Sequence, residues 1–243
     1  MRTKTLICMV ALAVSAAISM AQSVYSLNIV GYANVPNPIG YTFQTAPFQV
    51  TTAVTNGANE ILPVNDGSRD GDQLLIWKGH GWAANGLDNM SPTGFSDSGG
   101  NPIPVPILNA GMGYLYYNAQ SISNKLTYIG QIRTGTNVVT IPSTVTREYS
   151  ALGSPIPFVG GIITKGQFSN VGGALDGNAI MRLVTAGGIA KGYDPSYFDS
   201  SKSTGFSDSG GNQIPEPQLV PGQGFLFDNQ VGPVVTWKQV FNP

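Results

Sequence analysis

Chemistry-bearing residues are scarce in this 243-residue sequence, which has one histidine, His80, and one cysteine, Cys8. A single histidine excludes an HExxH zinc site and any His/Cys metal cluster. It also leaves no Ser-His-Asp or Cys-His set except one built on His80 itself. His80 lies between Gly79 and Gly81, the setting of a loop histidine with no chemical duty. Charge is thin too: 10% of residues are Asp, Glu, Lys or Arg, with 12 cations against 13 acids, which is no footprint for nucleic acid. The Gly160-Gly161 and Gly172-Gly173 pairs lack the Lys-Ser/Thr and helix start that a phosphate loop needs. Long apolar runs are missing as well. The one candidate, Leu6 to about Ala17, falls short of the roughly 20 residues a membrane-spanning helix requires.

That short run follows Arg2 and Lys4 and precedes Ser19-Met20-Ala21, small residues where signal peptidase reads, so residues 1–21 are expected to be a secretory signal. A lipoprotein signal fits poorly, because Cys8 precedes most of the apolar run and follows Ile7 rather than a small residue. Cleavage would remove the only thiol, leaving no disulfide and a mature chain that depends on core burial. It would also leave ten cations against thirteen acids. The expected destination is the periplasm, the cell surface or the medium.

Glycine (31) and proline (17) are plentiful, and after the signal no apolar 3.6-residue period persists for three turns. Short β-branched or aromatic runs bounded by Gly, Pro, Asn and Asp recur instead, which predicts an all-β protein. Strands are expected at 27–35, 41–50, 73–78, 81–84, 112–118 and 125–132. In the second half they are expected at 137–141, 150–152, 162–164, 179–185, 192–193, 224–228 and 234–241. Trp77 to Trp82 reads as a tight hairpin around Gly79-His80-Gly81.

The octapeptide GFSDSGGN occurs twice, at Gly94–Asn101 and Gly205–Asn212, an offset of 111 residues. With that offset held, Gly81-Trp82 falls on Gly192-Tyr193, Ile103-Pro104 on Ile214-Pro215, Gly111 on Gly222 and Gly113–Tyr116 on Gly224–Phe227. Upstream the offset becomes 106, aligning Asp70-Gly71-Asp72 with Asp176-Gly177-Asn178, so the second copy has five extra residues between these blocks. Such a duplication predicts two tandem homologous sandwich-like or barrel-like units, 22–125 and 126–243. The look-alike segments from Asn28, Leu126 and Val234 leave no room for a linker, so the units should be tightly apposed.

The signal followed by VYSLNIVGYANV, GDQLLIW, GW, GFSDSGGN and LNAGMGYLYYN, with LVPGQGFLFDN in the second copy, resembles secreted tandem-β proteins of Verrucomicrobia and Planctomycetes. In those proteins a "GD…W" hairpin precedes a "PGxGF" strand. The resemblance implies a β fold and export; it assigns no activity and no functional residue.

Within the octapeptide, Asp97 and Asp208 are expected to accept bonds from amides two residues on. The pairs Gly99-Gly100 and Gly210-Gly211 should supply positive φ. The Ile-Pro-x-Pro after each copy should run extended along a sheet edge. Three acids repeat, Asp70 with Asp176, Asp88 with Asp199 and Asp97 with Asp208, and turn formation accounts for all of them. Two further readings are open: a carboxylate pair for glycosidic acid/base work, and Ca²⁺ held by Asp66, Asp70 and Asp72, although that loop lacks the DxDxDG spacing. Trp82, Tyr193 and Tyr117 are the candidate ligand platform, since exposed rings stack on sugar faces. Tyr114 and Tyr116 should share one strand face and Leu115 and Tyr117 the other, with Asp228 in place of Tyr117 pointing to solvent. The expected function is a non-catalytic exported structural or interaction protein, its strand edges open to self-association. The alternatives are a carbohydrate-binding module, calcium-assisted or not, and more remotely a glycoside hydrolase. The expected partner is an extracellular glycan or protein, with no nucleic acid and no membrane span.

Overall fold

The computed structural model describes residues 29–50, 56–62, 67–142, 147–230 and 234–242. The expected signal at 1–21 and the candidate ligand Asp66 lie outside these residues.

Among the described residues the chain is all-β apart from one short helix, α1 (Ala58–Ile61), and a 3-10 turn at Val171–Gly173. Its first half contains β1 (Val30–Asn37), β2 (Gly40–Thr45), β3 (Gln73–Trp77), β4 (Trp82–Leu87), β5 (Phe95–Ser96), β6 (Gly113–Asn118) and β7 (Asn124–Gln131). The second half contains β8 (Gly135–Ile141), β9 (Glu148–Gly153), β10 (Gly160–Gly161), β11 (Ala179–Ala186) and β12 (Ile189–Phe198). It continues with β13 (Phe206–Ser207), β14 (Gln218–Leu219), β15 (Gly224–Asn229) and β16 (Val235–Phe241).

The two halves are wired alike. One five-stranded antiparallel sheet runs β2-β6-β3-β4-β5 and the other β9-β15-β11-β12-β13, so each position in the first has its counterpart in the second. Each half adds a two-stranded ribbon, β1-β7 or β8-β16, and none of these sheets is closed. All of β7 pairs with β1, from Asn37↔Asn124 to Val30↔Gln131. A division of the chain between residues 125 and 126 would therefore cut a strand, and the second ribbon begins only at Gly135.

Period-2 alternation builds three cores. On β6, Tyr114 and Tyr116 turn toward the first ribbon and pack with Val35, Leu126 and Tyr128, while Leu115 faces the other way. On β15, Phe225 and Phe227 turn toward the second ribbon and pack with Trp237, while Leu226 faces away. Leu115 and Leu226 then meet in a third cluster with Phe43 and Ala151, which joins the two sheets face to face. Each large sheet is thus covered on both sides.

Reciprocal backbone contacts lock this junction. Thr45 N–H donates to Gly222 O at 2.9 Å and Gly153 N–H to Gly111 O at 3.1 Å, and bridges form at Gln44↔Gln223 and Met112↔Leu152. Glycine is required where the sheets approach most closely. A Cβ on Gly113 would lie 2.5 Å from Leu152 O, and one on Gly224 2.5 Å from Gln44 O. The repeated Gly-x-Gly-aromatic stretch is therefore a junction element as well as a strand start.

Three expectations about strands change, the first being that the strand expected over 41–50 ends at Thr45. Residues 162–164 form a turn rather than a strand, because the Glu216 carboxylate accepts from the Ile163 and Thr164 amides and Gly161 O accepts from the Lys165 and Gly166 amides. Residues 192–193 belong to a strand of ten residues, since the five extra residues lengthen the β11-β12 hairpin.

Candidate functional site

The repeated octapeptide folds identically in both copies. Asp97 Oδ1 accepts from Gly99 N–H at 2.8 Å and Asn101 N–H at 2.9 Å; Asp208 Oδ1 accepts from Gly210 N–H at 2.8 Å and Asn212 N–H at 2.9 Å. The Asn101 and Asn212 side chains also donate to these carboxylates. Those side-chain bonds, then the backbone amides, hold both acids below the ordinary aspartate value. Only the second glycine of each pair, Gly100 (φ 78°) and Gly211 (φ 76°), has positive φ. Gly99 and Gly210 serve instead by having no side chain, since an added Cβ would crowd the Asn amide nitrogen at 3.1 Å.

The other repeated acids also hold backbone amides. Asp70 Oδ1 accepts from Asn89 N–H at 2.9 Å and Asp176 Oδ1 from Ser200 N–H at 2.8 Å; Asp88 accepts from Met90 N–H and Asp199 from Ser201 N–H. Burial pushes Asp176 up, but the Ser200 hydroxyl, Asn170 and the Ser200 amide together bring it below its ordinary value. Oxygens committed to main-chain donors in this way shape loops.

Asp72 departs from its expected place in an oxygen-rich loop. It is fully buried, Oδ2 accepting from the Tyr116 hydroxyl at 2.7 Å and Oδ1 from Ala119 N–H at 2.8 Å and Gln120 Nε2 at 3.1 Å. Its carboxylate faces protein donors while Asp70 stays exposed. Among the described residues no three His, Cys, Asp or Glu side chains converge as metal ligands.

Asp228 is a second correction. It is 1% exposed, and Arg147 Nε and Nη2 donate to its two oxygens at 2.8 and 2.5 Å. The Arg147 guanidinium also lies 5.2 Å from the centre of the Tyr149 ring. The sequence signal was an acid in an otherwise apolar aromatic strand, which calls for a cation.

Of the aromatic candidates, Trp82 and Tyr193 come together at the sheet–sheet junction, and Tyr117 lies outside that cluster and its cleft. Trp82 packs edge-on against Phe43 (5.5 Å) and Trp77 (5.1 Å), and Trp77 donates its indole N–H to Tyr149 O at 2.8 Å. Burial raises the Tyr193 hydroxyl, and the Trp82 side chain across the junction opposes the rise. Tyr117 shares the Leu115 face and packs on Tyr41 at 4.7 Å between centroids. A cleft of about 440 Å³ opens beside them, walled by Tyr41, Leu75, Trp82 and Leu115 on one side and Leu183, Ile189 and Tyr193 on the other. Tyr41 has a repeat counterpart, Tyr149, and that repetition was the signal by which sequence reasoning could have found it. His80 stands apart, exposed at the β3-β4 turn that Lys78 N–H closes onto Gly81 O at 2.9 Å.

Strand edges are less open than composition implied. At β5 and β13 the Ile-Pro-x-Pro segments dock, Ile103 N–H donating to Phe95 O and Ile214 N–H to Phe206 O, both at 3.1 Å. The β2 and β9 edges meet the opposite half through the reciprocal bonds above. No helix among the described residues is long and apolar enough to cross a membrane. Comparison with known proteins found no matching family model, no matching curated protein and no matching solved structure, so the reading of this chain rests on its own geometry.

Proposed function

We propose that this protein is an exported, non-catalytic structural or interaction module made of two tandem copies of one β unit about a pseudo-twofold junction. The observation that carries the reading is where the repeated residues go. The aspartates cap loops, the second glycine of each octapeptide pair turns the chain, the Gly-x-Gly positions admit the opposite sheet, and the aromatics fill cores. Selection that keeps such letters keeps a shape.

A second reading has one observation in its favour, the cleft beside Trp82 and Tyr193, whose rings could receive a sugar face. The edge-on packing of Trp82 on Phe43 and Trp77 weighs toward the structural role. Pull-down of the mature protein on insoluble polysaccharides, with and without EDTA, separates the two. The structural reading predicts no retention in either condition. Retention on any glycan establishes the carbohydrate reading, and retention lost with EDTA adds Ca²⁺ to it. Export is checked by mass spectrometry of the protein recovered outside the cytoplasm, where the first residue is expected to be Gln22.

A further inference from the structure

The five residues that distinguish the second copy lie in the β11-β12 hairpin, and they give it an arm that β3-β4 does not have. Beyond the pair Leu183↔Tyr193 the register shifts between Val184 and Thr185, so Thr185 faces Ala190 while Val184 still faces Gly192, leaving Lys191 as the extra residue of a bulge. Gly192 there has φ of 134°, a conformation that other residues resist. Past the bulge, Thr185, Ala186, Ile189 and Ala190 are all exposed, so neither face of the arm is buried. A ladder exposed on both faces has little but its own hydrogen bonds to hold it.

At its far end the arm touches the first half in one place. Tyr41 N–H donates to Gly188 O at 3.1 Å, and the backbones are so close that a Cβ on Gly188 would come within 2.8 Å of Ile39 O. The matching tip of β3-β4 has open space at its glycines: a Cβ on Gly79 or on Gly81 would have no neighbour within 4 Å. The arm therefore spans the gap between the sheets and stands between two hollows. One is the aromatic cleft beside Trp82 and Tyr193; the other, about 270 Å³, is lined by Phe43, Arg182, Thr185 and Gly222, and Tyr41 and Leu183 border both.

From this geometry we infer that residues 185–192 form a hinged strap over the aromatic cleft, bending at the Val184–Gly192 bulge and latched by Gly188 against Tyr41. Its opening widens access to Trp82 and Tyr193 and joins the two hollows, while the base of the hairpin stays in the sheet. The strap is a property of the arm and holds under either reading of function.

Hydrogen exchange of the mature protein tests it, read at the Tyr41 amide, across 185–190 and at the base pairs Ile180–Leu183, alongside acrylamide quenching of tryptophan fluorescence. In the unsubstituted protein the arm and the Tyr41 amide should exchange together and faster than the base. Gly188→Ala should speed both about tenfold, the scale of one lost hydrogen bond, and increase quenching. Gly79→Ala, which imposes the same left-handed backbone cost at a tip without a contact, should leave both unchanged. An arm that exchanges as slowly as the base overturns the strap, and so does an equal response to the two substitutions. The first comparison needs no variant, so a failure of Gly188→Ala to fold leaves the proposal open to refutation.

Discussion

Asp72 and Tyr116 in the first half occupy the places of Asn178 and Phe227 in the second, and the two differences belong together. A buried carboxylate needs every donor it can find, and the Tyr116 hydroxyl supplies one at 2.7 Å. Phenylalanine has no donor, and the neutral amide of Asn178 tolerates that loss while its Oδ1 keeps the main-chain bond from Gln230 N–H at 2.8 Å. The same coordination governs Tyr128, which donates to Gln44 Oε1 and so must receive its bond from Tyr114. In the second half these three places hold Gln239, Leu152 and Phe225, and Gln239 turns to the Ser154 hydroxyl at 2.6 Å. Burial raises the Tyr114, Tyr116 and Tyr128 hydroxyls far above the ordinary tyrosine range, so all three remain neutral donors. Tyr116→Phe alone should cost about 1–3 kcal/mol by urea unfolding, because it leaves Asp72 short of a donor. Asp72→Asn combined with Tyr116→Phe should cost less than the sum of the single changes, with a coupling of about 1 kcal/mol; strict additivity would show that the two residues are not a unit.

Among the elements, glycine has two separate jobs, and substitution should separate them. Gly113→Ala places a methyl against the Leu152 backbone, which belongs to the opposite sheet and cannot step aside. Overpacking of that kind costs about 1–3 kcal/mol or more. Gly100→Ala meets open space and bears only the left-handed penalty of roughly 1–2 kcal/mol. Thermal unfolding should therefore rank Gly113→Ala as the more damaging, and only Gly113→Ala should disturb the near-ultraviolet dichroism of the junction aromatics. Equal effects would mean that the Gly-x-Gly stretch matters for its turn rather than for the approach of the sheets. Much of this level was legible in the amino-acid order. Alternation put Tyr114 and Tyr116 on one face, and Asp97 with Gly100 announced the Asx loop. The turn at 162–164 was not legible, because Glu216, more than fifty positions away, supplies the competing acceptor. Nor was the burial of Asp228, whose partner Arg147 stands just ahead of the neighbouring strand β9.

For the whole molecule, the decisive feature is that the two sheets share one apolar cluster. Phe43 and Leu115 from one half and Ala151 and Leu226 from the other are buried only while the halves remain together. Separating them would expose that surface together with Trp77, Trp82 and Tyr193, at a cost that neither half recovers alone. Calorimetry should accordingly show a single endotherm, with dichroism and tryptophan fluorescence following one transition. Two resolved transitions would mean that each ribbon-and-sheet half is stable by itself and the junction is incidental. The same arrangement engages the β2 and β9 edges at the junction through main-chain bonds.

Local grammar settled the strand content, the repeat and the turn chemistry, because alternation, glycine and the reach of an aspartate to an amide two residues away act over a few residues. The tertiary structure alone decided which faces meet. Leu115 and Leu226, Gly113 and Leu152, and Gly40 and Gly188 are brought together by the packing of two sheets, and no short-range pattern encodes a contact between residues so far apart in the chain. The same is true of the five added residues. Their number is written in the offset between the copies, but their reach across the junction to Tyr41 exists only once both halves have folded and docked.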